Sequence, residues 1–254
     1  MEKLKLFENP LDVIVGVDEH DEIIKLDLAR ARNMLVAGVT GSGKSVGVLG
    51  MLTSLMAHHK DTSTLKIFIH DPSRVEYGNL ADNPFVTLYD EESPFVELNE
   101  IMDERYKLLR GQNVKNIEEY NKRVPESEKL PYIVTVVEHL AYTMNVEDDC
   151  EKKLTRLLQK SRGAGIHLII TTQTPRREVI TGTIKANIPT RLSFMVSSQK
   201  ESMCILDEVG AELLPPRGAF ILKSSYNDET RYGQAPFVSQ EAIAEINAYA
   251  NQNI

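Results

Sequence analysis

Tryptophan is absent from this chain and cysteine nearly so: its 254 residues hold no Trp and two Cys, Cys150 and Cys204. Two cysteines cannot build a disulfide framework, which excludes small stapled secreted scaffolds and fits a reducing compartment. Cytoplasmic localisation is the expectation. Long apolar runs are missing too, none approaching the ~20 residues of a membrane span. The start, Met1-Glu2-Lys3-Leu4-Lys5, lacks the apolar stretch of a secretory leader. Positive charge is in deficit, with 29 Lys and Arg against 37 Asp and Glu and a net charge of −8. A surface of that sign does not bind polyanions indiscriminately, so nucleic-acid contact is confined to a local basic track. Neither low-complexity segments nor repeats of solenoid period occur. A globular chain remains, long enough for one sizeable core.

Against these absences stands one dense motif, Gly38-Val39-Thr40-Gly41-Ser42-Gly43-Lys44-Ser45. It has the full spacing of a P-loop. Asn33 to Ala37 before it reads as a short buried strand, and Val46 to His58 after it as an apolar, Pro-free helix. The glycines let the backbone curl so that its N–H groups face phosphate oxygens. Lys44 adds a cation for the β- and γ-phosphates, and the Ser45 hydroxyl suits Mg²⁺. The anion then rests on a helix N-terminus, where unpaired donors favour it. ATP with Mg²⁺ is the expected ligand.

Around the motif, strand and helix patterns alternate. Residues 1–30 form a lead-in with two strands, 13–17 and 22–26, about the turn Asp18-Glu19-His20-Asp21. Further strands are expected at 66–70, 133–137, 167–172, 190–196 and 219–223. Helices are expected at 95–110 (with Val96, Ile101, Met102 and Leu108 toward the core), 150–162 and 240–251. The β-branched run 133–137 has the character of a strand buried on both faces. The expected fold is α/β, a mostly parallel sheet with helices on both faces, with 31–254 as the main domain.

Strand ends supply the other candidate chemistry. Glu138 follows the strand 133–137, where a carboxylate can serve the metal. His139 beside it fills a polar pocket or accepts a proton, and Asp71, ending the strand after the P-loop helix, is a second candidate base. Thr172 or Gln173 is placed like a sensor of the γ-phosphate or attacking water. Arg176, Arg177, Lys185 and Arg191 make the densest basic stretch. His58-His59 lacks metal-site spacing and reads as the exposed end of a helix.

Ordered matches from about residue 10 to 225 resemble one family, the FtsK/SpoIIIE group of double-stranded DNA translocases. They include Leu35 to Gly47, Asp71-Pro72, Glu104-Arg105-Tyr106-Lys107-Leu108, Tyr120-Asn121, Pro131 to Val134, Thr172-Gln173, Ile184 to Arg191 and Ile205-Leu206-Asp207. The resemblance implies a RecA-like P-loop NTPase core, working as a homo-hexamer that drives double-stranded DNA through a central pore with ATP. It gives Lys44 and Ser45 nucleotide and Mg²⁺, makes Gln173 the γ-phosphate sensor, and makes Arg176, Arg177 and Lys185 phosphate contacts to DNA.

The chain also departs from the family. Glu138-His139 stands where the family has Asp-Glu, Tyr142 where it has an acid, and Thr174 and Met203 where it has arginines. These departures predict slow hydrolysis by a degenerate Walker B pair. The expectation is a stand-alone motor core of phage or plasmid type, without the family's membrane segments or DNA-reading tail. The alternative is a nucleotide-binding scaffold or DNA clamp with little turnover.

Overall fold

Period-two alternation with both faces apolar decides the architecture. In the computed structural model, which describes residues 6–224 and 226–252, Met34 and Val36 point into one core while Leu35 and Ala37 point into the other. Val134 and Val136 likewise oppose Ile133 and Val137. Strands of this kind need cover on both sides, and helices supply it.

The strands are β1 (Asp12–Val17), β2 (Ile23–Asp27), β3 (Met34–Ala37), β4 (Leu65–His70), β5 (Val86–Tyr89), β6 (Tyr132–Val137), β7 (Ile166–Thr172), β8 (Thr190–Ser193), β9 (Ala219–Ser224) and β10 (Asn227–Gln234). They form one sheet in the order β2-β1-β10-β9-β8-β3-β7-β6-β4-β5. From β8 to β5 every pairing is parallel; from β8 to β2 every pairing is antiparallel. The sheet is therefore mixed and mostly parallel, as expected. The lead-in strands β1 and β2 join this same sheet through β10.

The helices are α1 (Leu28–Ala31), α2 (Lys44–Met56), α3 (Phe95–Gly111), α4 (Ile117–Arg123), α5 (Leu140–Val146), α6 (Cys150–Lys160), α7 (Gly182–Asn187), α8 (Gln199–Leu206) and α9 (Gln240–Gln252). One face of the sheet carries α2 and α9, the other α3, α5, α6, α7 and α8. On α3 the buried stripe runs Phe95, Leu98, Met102, Arg105, Leu109, at spacings of three and four. Val96 and Leu108, expected in the core, fall off that stripe and are exposed. Among the described residues no helix is long and apolar enough to cross a membrane.

Several matched motifs prove to be tethers. Buried Arg105 donates to the carbonyls of Ala164 and Pro131, each at 2.7 Å, pinning α3 to the starts of β7 and β6. Asn121 brackets Leu130, donating to its carbonyl and accepting from its N–H, both at 2.9 Å. His59, expected at an exposed helix end, is buried: its ring pairs with Thr64 Oγ1 at 2.9 Å and Pro10 O at 2.6 Å. Burial lowers its pKa to about 4, so it stays neutral.

Candidate functional site

Parallel strands deliver their C-terminal ends to one edge of the sheet, and the loops leaving that edge carry the site. Gly38 follows β3, Asp71 follows β4, Glu138 follows β6 and Gln173 follows β7. Register fixes their neighbours. Ala37 pairs with Thr172, and Val137 with Ile170, so Glu138 and Thr171 sit side by side beneath the P-loop.

The loop is held from both flanks. Gly38 N–H donates to Thr172 O at 3.2 Å and Val39 N–H to Met195 O at 3.0 Å. On the far side Gly218 N–H donates to Ser42 O at 2.8 Å, tying the β9 corner to the loop. Gly43 has φ 97° at the N-cap of α2, and a Cβ there would lie 2.5 Å from Gly218 N. Both the left-handed backbone and the close approach require glycine. Val39, Thr40, Gly41 and Gly43 to Val46 line a 360 Å³ cavity with Gln173 and Glu76 opposite. That volume falls within the ~300–1,000 Å³ of small-molecule sites.

Two of the lining strips come from the antiparallel half and were not singled out from sequence. Arg217, at φ 69°, and Gly218 form the corner before β9. Gln234 to Phe237 follow from β10, and Phe237 is 84% exposed. No motif marks them. Their place follows from sheet order, which puts β9 beside β8 and hence beside the P-loop.

Buried charge defines the floor. Lys44 Nζ forms an ion pair with Glu138 Oε1 and lies 3.4 Å from Thr171 Oγ1. Lys44 is 5% exposed and Glu138 fully buried. The second oxygen, Oε2, accepts from Tyr77 Oη at 3.2 Å. Burial first, and Glu138 second, push the Tyr77 hydroxyl well above its ordinary pKa, so it remains a donor.

The two candidate bases fare differently from their sequence-based roles. Asp71 Oδ1 accepts from Ser73 N–H and Oγ–H at 3.2 and 2.7 Å, and Oδ2 from the N–H groups of Glu76 and Tyr77 at 3.0 and 3.1 Å. Four acceptances fill a carboxylate, so Asp71 shapes the loop instead of facing the cavity. His139 adopts φ 56° at the start of α5, with Nε2 3.9 Å from Glu138 Oε1. It lines an adjoining 490 Å³ groove with Tyr142 and Thr174, and Gln173 lines both this groove and the P-loop cavity. His139, Tyr142 and Thr174 thus line one groove.

Among the described residues no three His, Cys, Asp or Glu side chains cluster as metal ligands. The donors present, a hydroxyl on Ser45 and the Glu138 carboxylate, are hard oxygens that fit Mg²⁺ arriving with phosphates.

The basic stretch divides. Arg176 and Arg177 are exposed in the segment after β7. Lys185 instead donates to Asp207 Oδ1 at 2.7 Å, and Arg191 pairs with Asp207 Oδ2. Lys185, expected to be a DNA contact, is therefore already paired with an acid.

A model of the FtsK/SpoIIIE family matches residues 2–177. DNA translocase FtsK of Campylobacter jejuni is 37% identical over 254 residues, covering 96% of this chain and 27% of that protein. DNA translocase SftA of Bacillus subtilis is 36% identical, covering 94% of this chain and 26% of its own length. The chain thus spans about a quarter of these curated relatives. Among solved structures, the pCW3 conjugation coupling protein TcpA, in its monomer form with ATPγS, superposes with a TM-score of 0.85 at 30% identity. That match covers 100% of this chain and 73% of TcpA. The cytoplasmic domain of EccC from Thermomonospora curvata shares the fold at 19% identity, with a TM-score of 0.82 over 94% of this chain and 31% of EccC. Motif, sheet order and these similarities agree: the chain belongs to the FtsK/SpoIIIE family.

Proposed function

We propose that residues 31–254 are an ATP-driven motor that translocates double-stranded DNA, acting in the cytoplasm in a ring of identical subunits, a homo-hexamer. The observation that carries this reading is the cavity where the P-loop backbone, Lys44, Ser45 and Gln173 converge. Its relatives include proteins named as DNA translocases, and its structural neighbour TcpA was solved with an ATP analogue.

Binding begins with an exchange of partners. Lys44 gives up Glu138 for the β- and γ-phosphates, and the loop N–H groups take the remaining oxygens. Ser45 and Glu138 would hold Mg²⁺, which when bound would neutralise charge on the phosphates. Tyr77 keeps its hydrogen bond to Glu138, so the carboxylate stays oriented after Lys44 leaves. Gln173 senses the γ-phosphate and orients the attacking water. Arg176 and Arg177 contact DNA phosphates, which position without reading sequence.

One observation favours a second reading, a scaffold or clamp with little turnover. All four acceptor sites of Asp71 are taken by Ser73, Glu76 and Tyr77, so it would not stand in for the Walker B acid that the family resemblance implies is replaced by His139. Steady-state ATPase measurements with and without duplex DNA separate the two. Turnover stimulated by duplex supports the motor. Tight ATP binding without turnover supports the scaffold, and absence of ATP binding overturns both.

A further inference from the structure

Hydrolysis needs an acceptor for the proton of the attacking water, and neither sequence-based candidate faces the cavity. One acid with no assigned role lines it. Glu76 lines the P-loop cavity together with Lys44, Ser45 and Gln173. We propose that Glu76 is the general base of this ATPase, presented to the cavity by a loop that Asp71 holds in shape. The inference rests on the ATPase reading above.

Four observations meet on this residue. Its backbone is fixed, because its own N–H and that of Tyr77 both donate to Asp71 Oδ2. The next side chain, Tyr77, is fully buried and donates to Glu138, which anchors the loop to the floor of the site. Arg74, two residues earlier, pairs with Asp90, which follows β5. Finally, Glu76 is half-buried and lines the cavity, and its carboxylate makes no hydrogen bond or ion pair among the described residues. A rigid backbone carrying an uncommitted acid into the nucleotide cavity is the arrangement general-base catalysis requires.

The alternatives are excluded by position. Glu138 is occupied by Lys44 and Tyr77 and becomes the metal-side acid once Lys44 leaves. Asp71 is saturated by the loop, and His139 faces the neighbouring groove. In the proposed step, water oxygen bonds to the γ-phosphorus as the bond from that phosphorus to the β,γ-bridging oxygen breaks. The water proton passes to the Glu76 carboxylate and then to solvent, leaving ADP and inorganic phosphate. Asp71 never touches the reacting atoms; it is a positioning residue.

The test measures ATP affinity and turnover of the full chain with duplex DNA, for wild type, Glu76→Gln, Asp71→Asn and His139→Ala. Glu76→Gln is expected to bind ATP within about threefold of wild type while kcat falls by ~10²–10⁴ and the acid limb of the pH–kcat profile disappears. Asp71→Asn should lower kcat yet keep that limb, because the base remains but is held loosely. Glu76→Asp, which keeps the charge and shortens the reach, should retain part of the rate and keeps the question answerable if Glu76→Gln misfolds. Undiminished turnover in Glu76→Gln overturns the inference. So does a wild type that binds ATP without hydrolysing it, or loss of the acid limb in His139→Ala in its place. A wild type that fails to bind ATP defeats the nucleotide reading itself.

Discussion

Two acids in this molecule hold lysines that sequence alone assigns to ligands, and they hold them in opposite ways. Glu138 is fully buried, pairs one-to-one with Lys44, and takes a second bond from Tyr77. Asp207 is 58% exposed, caps α8 at φ 60°, and pairs with two cations, Lys185 and Arg191. The inner pair is neutral and poised for exchange: an arriving phosphate can take Lys44 only if Glu138 finds another positive partner. The outer cluster carries a surplus positive charge but has its geometry committed, so Lys185 ties α7 to the end of α8 more than it faces solvent. A cation in a motif is therefore available or spent according to its acid, and burial sets how much the loss of that acid costs.

The largest expected effect comes from breaking the inner pair. Glu138→Ala leaves a buried ammonium unpaired, and breaking such a pair costs ~3–5 kcal/mol. Lys44 can turn toward the adjoining cavity, so the lower end of about 3 kcal/mol is expected from urea unfolding. The double change Glu138→Leu with Lys44→Met should recover most of that loss, because an apolar pair carries no desolvation penalty. The counterpart Asp207→Asn should cost less than about 1 kcal/mol, as exposed ion pairs do. Equal costs at the two sites would erase the distinction between them.

Next in size is ligand affinity. Lys44→Ala removes a charge-assisted bond of ~1.5–3 kcal/mol, which at about 1.4 kcal/mol per tenfold is a ~10- to 100-fold weaker ATP Kd. Lys185→Ala should leave that Kd unchanged in the same titration. Unaltered ATP affinity in Lys44→Ala would remove the nucleotide site from the P-loop.

DNA binding separates the exposed arginines from the committed lysine. Replacing Arg176 and Arg177 with alanine should weaken duplex binding for every sequence and flatten the log K against log salt slope by ~1.8, about 0.9 per phosphate contact. Lys185→Ala should change the slope by much less, since its ammonium is tied to Asp207. A slope change in Lys185→Ala equal to that of one arginine would show that Asp207 releases it to DNA.

Much of this was legible from the residues, for reasons that particular elements explain. The P-loop was readable because its chemistry is local: spacing, a preceding strand and a following helix lie within about 25 residues. The strands β4, β6 and β7 announced themselves as β-branched or apolar runs, and Glu138 and Gln173 followed as their ends. The edge strand β5, only four residues long, and the polar interior strand β10 did not, and neither did the four- to eight-residue helices α1, α4, α5, α7 and α8. The greater loss was pairing across the chain. Asp71 bonding forward to Tyr77, Lys44 finding Glu138 94 residues away, and Asp207 capturing Lys185 are facts of topology. Glu76 was hidden for the same reason: it lies in a loop with no motif, and only the fold brings it to the cavity.

The smallest expected effect tests the outer cluster by pH. Burial alone would raise the Asp207 carboxyl, but the hydrogen bonds from Lys185 and Arg191 overcome it and hold the group below its ordinary 3.8. A depressed folded-state pKa contributes stability that is fully present above the unfolded value and is lost as pH falls through the folded one. The contribution of the cluster should therefore be constant from neutral pH down to about 4 and fade only below it. Asp207→Asn removes this dependence and tolerates the left-handed backbone that Asp207 adopts, since Asn enters that region readily. Wild type and Asp207→Asn stability curves, measured by urea unfolding, should run parallel above pH 4 and converge at lower pH. The same substitution frees Lys185 and Arg191 beside Arg177, whose charge already acts with Lys185 on the Cys204 thiol. It should therefore steepen the salt dependence of duplex binding by about one counterion. Curves that diverge as pH falls below 4 would mean that Asp207 is not the acid holding these cations.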